Sequence, residues 1–93
     1  MNNVKNQSQP ELIKTIQEFV FENTFSNSSE IKPDTLIFKE GYFDSMGFVS
    51  LISFLEEKFS IQTESDDLIE ENFESITAIS KYILQKRNGH NML

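Results

Sequence analysis

Apolar residues recur at helical spacing in three stretches of the chain. In "SQPELIKTIQEFVFENTF", Leu12, Ile16, Phe19 and Val20 fall on one face, and Ile13 and Phe21 widen it. Ser8 is placed to cap this helix, Pro10 suits its first turn, and Glu11 follows Ser8 by three residues, as in a capping box. In "DSMGFVSLISFLEEKFS", Phe48, Leu51, Ile52, Leu55 and Phe59 form a second apolar stripe, flanked by Val49 and Phe54. A mostly polar stripe runs beside it, through Met46, Ser50, Ser53 and Glu57, and is expected to face outward. Asp44 is the predicted cap, because its carboxylate can accept the orphan N–H groups of the first turn. In "SITAISKYILQKR", Ser75 is the predicted cap and Ile76, Ile79, Tyr82 and Ile83 the core face. Lys86 and Arg87 suit the C-terminal end of the dipole, and Asn88-Gly89 is expected to stop the helix.

Between the first two helices the pattern breaks. "SNSSEIKPDT" is turn chemistry, and the irregular stretch runs on to Phe43. Ile31, Leu36, Ile37, Phe38, Tyr42 and Phe43 punctuate it, so it reads as an ordered loop pinned to a helical core. "IQTESDDLIEENFE" carries six acids along with Ile61, Leu68, Ile69 and Phe73, and predicts a short helix near Asp66 to Asn72. No segment alternates with period two. The expected fold is all-α: a small four-helix bundle with three main helices, one short one, and a long loop between helices one and two. Residues 1–7 are expected to be a disordered tail, 8–88 the domain, and 89–93 a second tail.

Composition narrows the function. Ninety-three residues bury only a modest core, and few elements remain to wall a large catalytic cavity. Nine Phe fill such a core economically. The absence of Cys removes disulfides, thiolate chemistry and Cys-based zinc sites. A net charge of −7, with scattered basic residues, argues against nucleic acid. The longest mostly apolar run, "FVSLISFL", is too short to span a bilayer, and "MNNVKNQSQPE" is no signal peptide. A soluble, cytoplasmic, monomeric protein without membrane insertion is the expectation.

Ser45 raises the question of chemistry. A serine nucleophile needs a base and a group that orients it, yet the single His, His90, falls in the predicted tail. The Gly-x-Ser-x-Gly elbow is missing. Glu64, Asp66, Asp67, Glu70 and Glu71 read as a solvated face, without the spacing of an EF-hand loop. Only Gly41, Gly47 and Gly89 are present, so there is no glycine-rich phosphate loop. No catalytic residue and no metal site are assigned; the chain reads as something that enzymes act on or bind to.

At "FDSMG" the chain resembles the acyl carrier protein superfamily, which includes peptidyl and aminoacyl carriers. The family hallmark is an Asp-Ser pair followed by a large aliphatic residue at the start of the second helix of a four-helix bundle; here it reads Asp44-Ser45-Met46. "IKPDTLIFKEGYFDSMG" looks like the family's loop, "LISFLEEKFSI" like the end of its second helix, and "NFESITAISKYI" like the approach to its last. The resemblance covers roughly Pro10 to Arg87. It implies that a phosphopantetheinyl transferase takes a phosphopantetheine arm from coenzyme A, with magnesium, and joins it covalently to Ser45. The arm's thiol would hold an acyl or aminoacyl group as a thioester. A helix start suits the phosphate, since it offers free N–H groups and the positive end of the dipole. The resemblance gives Asp44 a second role, orienting metal or serine during attachment. A missing side chain at Gly47 would let the arm or a partner approach closely; drift at a tolerant position is the alternative.

The second helix is the family's usual docking surface, so Met46, Phe48, Val49, Ser50, Ser53 and Glu57 are the candidate partner-binding residues. Carriers of fatty-acid synthesis resemble one another in having acids there, whereas no acid stands between Ser45 and Leu55 here. "DSMG" looks like the variant in D-alanyl carriers. The resemblance implies a stand-alone carrier in a specialised biosynthetic pathway, served by an acyl- or aminoacyl-activating enzyme and by downstream acyl-accepting enzymes. The alternatives are a general fatty-acid carrier and an unmodified helical adaptor of the same fold.

Overall fold

The computed structural model describes residues 9–24 and 31–91, with side chains up to residue 87. Ser8, the predicted first cap, and residues 1–7 lie outside the described residues, as do 25–30 at the start of the loop and 92–93. Among the described residues the chain is all-helical, with four α-helices and no strand. These are α1 (Gln9–Glu22), α2 (Ser45–Phe59), α3 (Glu70–Phe73) and α4 (Ile76–Asn91), with a 3₁₀ turn at Ser65–Asp67 before α3.

The helices form where the apolar spacing predicts, because each buries one stripe. Leu12, Ile16 and Val20 of α1, Leu51, Leu55 and Phe59 of α2, and Ile76, Ile79, Tyr82 and Ile83 of α4 all enter the core. α4 is the central element and packs on both α1 and α3. The buried Ser80 is satisfied: its hydroxyl donates to the Thr77 carbonyl at 2.7 Å and accepts from the Gln9 amide at 3.2 Å. Asn23 closes α1, its backbone N–H donating to the Val20 carbonyl and its side-chain amide to that of Phe19. α2 ends at Ser60 in the left-handed region, at φ 56°.

The long loop is anchored by its backbone and by its apolar side chains. The Ile37 N–H donates to the Glu74 carbonyl at 2.9 Å, and the Thr77 N–H to the Pro33 carbonyl at 2.9 Å, tying the loop to the α3–α4 corner. Ile31, Ile37 and Phe43 are buried, and Phe38 and Tyr42 pack against them. Gly41 adopts φ +87°, which lets the chain turn back so that the Tyr42 and Phe43 N–H groups both reach the Ile37 carbonyl.

Several expectations are corrected. The short helix near Asp66 to Asn72 is two pieces, the 3₁₀ turn and α3, parted at Leu68 and Ile69. Helix α4 runs through Asn88-Gly89 to Asn91; a glycine stop needs a left-handed residue, and Gly89 keeps helical backbone. Val49 does not flank the core but is 58% exposed. The acidic segment is not uniformly solvated. Asp67 is half-buried, and its Oδ2 accepts from Lys86 Nζ at 2.8 Å, from the Glu64 N–H at 3.0 Å and from the Tyr82 hydroxyl at 3.1 Å. Lys86 thus serves as an ion-pair partner across 19 residues of sequence, in addition to lying in the last turns of α4. Arg87 sets its guanidinium 5.4 Å from the centre of the Phe59 ring, joining the ends of α4 and α2.

The Lys86 hydrogen bond holds the Asp67 carboxyl below the ordinary carboxylate range, with the Glu64 N–H and Tyr82 hydroxyl adding to it against the cost of burial. A lowered folded-state pKa means that the stabilisation is complete above the unfolded-state value and is lost as the pH falls through the folded one. Asp67→Asn is therefore expected to cost about 1–2 kcal/mol at pH 7. In urea unfolding across pH, the gap between wild type and variant should close only below the ordinary carboxylate range.

Candidate functional site

Ser45 is the first residue of α2 and is exposed. The residue before it makes the helix start. Asp44 has extended backbone, its Oδ1 accepts from the Gly47 N–H at 2.9 Å, and its carbonyl accepts from the Phe48 N–H at 3.0 Å. The N–H groups of Ser45 and Met46 have no intrahelical acceptor, as at any helix start. Asp44 Oδ2 has no partner among the described residues. An exposed hydroxyl thus stands beside two unspent N–H donors and one free carboxylate oxygen. The two N–H donors fit a phosphate ester on the hydroxyl, which they and the helix dipole would both favour.

Phe43 sets the floor of this turn. Its ring packs so closely on Gly47 that a Cβ there would lie 2.7 Å from Phe43 Cδ2 and 3.2 Å from Cγ. Gly47 is thus required by a ring of its own chain, a reason that periodicity does not reveal. Phe43 also touches Phe38, with centroids 5.7 Å apart, and Phe19, at 6.5 Å.

The outward stripe is where the spacing places it: Met46 is 72% exposed, and Ser50, Ser53 and Glu57 are exposed as well. Val49 joins that surface. Phe48 does so only in part, because its ring is held edge-on between Phe38 and Phe73, 5.6 Å from each. Sequence reasoning missed two further exposed apolar residues, Leu68 and Ile69, ahead of α3. Their apolar character suggested burial; brevity of the 3₁₀ turn and α3 leaves too little helix to turn them inward.

Two other features lie away from Ser45. At the far end of α2, Glu56 Oε2 accepts from the Thr63 hydroxyl at 2.6 Å and its N–H at 3.0 Å, which lowers the pKa of the Glu56 carboxyl. An open groove of about 440 Å³ lies between the loop, α3 and α4, lined by Asp34, Leu36, Glu71, Thr77 and Lys81 among others, with no residue of α2. Among the described residues no three His, Asp or Glu side chains converge as metal ligands, and no helix is long and apolar enough to cross a membrane.

The family model described as the phosphopantetheine attachment site matches residues 22–83, from the end of α1 into α4. The chain belongs to the acyl carrier protein superfamily, the phosphopantetheine-binding proteins. No curated protein matches it as a relative. In this superfamily phosphopantetheine is attached covalently to a serine of the domain, and the domains are typically carriers without catalysis of their own. The matched span holds the whole loop, Asp44, Ser45 and all of α2. The carrier therefore combines an anchored loop, a capped helix start and an exposed serine within the span that the family model matches.

The packing of Phe43 on Gly47 in this carrier gives a measurable expectation. Ala is the better helix former by about 1 kcal/mol, but a Cβ at position 47 must displace a ring, at about 1–3 kcal/mol. Gly47→Ala is expected to lower the urea midpoint, and Phe43→Leu in the same chain to recover most of that loss.

Proposed function

We propose that Ser45 is the serine that bears the phosphopantetheine arm, and that the carrier serves a specialised biosynthetic pathway with an acyl or aminoacyl cargo. The observation that carries this reading is the exposed Ser45 hydroxyl at the first turn of α2, beside a capping Asp44, inside the span of the family match. The arm supplies a thiol, which a chain without Cys lacks, and so a thioester linkage for the cargo. The protein's own part is to hold the serine hydroxyl outward, to receive the phosphate on the N–H groups of Ser45 and Met46, and to keep the helix start rigid through Asp44 and Phe43. Asp44 Oδ2 is the group to orient metal or serine while a transferase works.

The surface of α2 is the proposed docking face for the transferase, the activating enzyme and the acyl-accepting enzymes. Met46, Val49, Ser50 and Ser53 present apolar and hydrogen-bonding groups, and Glu57 brings a negative charge near the far end. Phe48, half-buried between two rings, has less surface to offer. The absence of acids from Ser45 to Leu55 favours partners without a basic patch, and so a dedicated pathway over general fatty-acid synthesis. The proposed carrier is a cytoplasmic monomer with no catalysis of its own.

Incubation with coenzyme A and a broad phosphopantetheinyl transferase should add the mass of one phosphopantetheine group, and Ser45→Ala should abolish the gain. No gain with any transferase tried would favour an unmodified adaptor that works by docking alone. Asp44→Asn separates the two roles of that side chain, because Asn caps a helix as well as Asp does. The variant is expected to keep its unfolding midpoint but to be modified at least about tenfold more slowly, the usual cost of losing a carboxylate that positions a metal.

A further inference from the structure

We infer that the segment leading into α3 is a second docking surface, distinct from the face of α2, and that it fits a protein partner with an apolar pocket rimmed by Lys or Arg. The inference does not depend on Ser45 bearing the arm. Its anchors are Leu68 and Ile69, consecutive apolar residues that are 45% and 49% exposed. Leaving two such side chains in water forgoes burial that so short a chain can use. Their backbone is held in place. The Leu68 N–H donates to the Ser65 carbonyl at 3.2 Å, and the Ile69 N–H to that of Asp67 at 2.8 Å. The Ile69 carbonyl accepts from the Asn72 N–H at 3.1 Å, and the Asn72 side-chain amide donates to the Asp67 carbonyl at 2.8 Å. Asp67 itself is tied to α4 through Lys86 and Tyr82. An apolar pair on a backbone fixed at both ends has little conformational freedom left to lose on binding.

The surrounding charge says what covers the pair. The exposed carboxylates of Glu64, Asp66, Glu70 and Glu71 flank it in the chain. No Lys or Arg stands between Phe59 and Ser80. The negative field continues past α3: Glu71 also lines the groove between the loop, α3 and α4, where Asp34 and Glu74 stand against Lys81. An apolar centre within a rim of one sign is the anatomy of a docking site, and the rim calls for the opposite sign across the interface. A second copy of this chain would set acid against acid, at a net charge of −7 per copy. An anionic bilayer surface would be repelled in the same way. A basic-rimmed protein pocket satisfies both the apolar pair and the carboxylates. The face of α2 calls for the reverse, since it has no acid from Ser45 to Leu55. The two surfaces therefore select chemically different partners.

The test titrates the isotopically labelled full chain with three short peptides and follows amide NMR shifts. One is a helical peptide with Leu on one face and Lys on the other, the second replaces its Lys by Glu, and the third is a Lys–Gly peptide without apolar residues. The Leu–Lys peptide is expected to shift residues 64–71 and not Met46 to Ser53. Leu68→Ser with Ile69→Ser should weaken that binding by about tenfold or more and leave Tm unchanged, because both side chains already stand largely in water. Glu70→Gln with Glu71→Gln should slow association and flatten its dependence on salt. Ser45→Ala should bind as wild type does. The Lys–Gly peptide should bind more weakly, and the Leu–Glu peptide not at all. No shift at residues 64–71, or shifts centred on Met46 to Ser53, would overturn the inference. So would equal binding of the Leu–Lys and Lys–Gly peptides, or a double Ser variant that binds as well as wild type, since either reduces the surface to bare charge. A dimer in sedimentation that the double Ser variant disperses would make a second copy the occupant instead.

Discussion

A serine on the first turn of a helix is only as well placed as the loop that leads into it. Here that loop is fixed by two backbone hydrogen bonds, from Ile37 to Glu74 and from Thr77 to Pro33, which join it to the corner between α3 and α4. The Ile37 carbonyl then receives the N–H groups of Tyr42 and Phe43, so the loop closes on the same residue that anchors it. Everything that makes the site follows from this placement. Phe43 is delivered into the core, Asp44 arrives in extended conformation at the cap, and Ser45 is left facing out. Without the anchor the cap would have no fixed helix start to serve.

Eight of the nine Phe lie among the described residues, and their rings do two jobs in so small a domain. They supply buried area that a short chain cannot otherwise reach, and they knit loop, α2, α3 and α4 into one contact series. A second series, Phe43 to Phe19 and the stacked Phe19–Phe54 pair, 4.3 Å apart, reaches α1. These ring contacts also stiffen the turn that carries Ser45, since Phe43 and Phe48 flank it in the chain.

Charge is arranged with the same division. Lys86 and Asp67 are spent inside the fold, holding the 3₁₀ turn against α4. Glu64, Asp66, Glu70 and Glu71 remain exposed and account for much of the acidity of that segment. The outer face of α2 stays free of acid until Glu56 and Glu57, and Glu56 itself is occupied with Thr63. What α2 shows a partner is thus mainly Met46, Val49 and hydroxyls.

The sequence alone determined the three main helices, their inward stripes and the position of the candidate site, because these depend on local rules. Leu12, Ile16 and Val20 repeat every four residues and could only share a face; Asp44 ahead of an apolar run is suited to cap it; Asp44-Ser45-Met46 carries the family hallmark in three adjacent residues. Tertiary structure decided whatever depends on residues far apart in the chain. Asp67 reads as one acid among six until Lys86, 19 residues on, and Tyr82, 15 on, reach its Oδ2. Gly47 reads as a weak point in a helix until the Phe43 ring is seen to need its missing Cβ. Val49 reads as a flank of the core until the actual crossing of the helices leaves it in water. Periodicity assigns a residue to a face of its own helix. Only packing says what stands opposite that face, and whether any space is left between them.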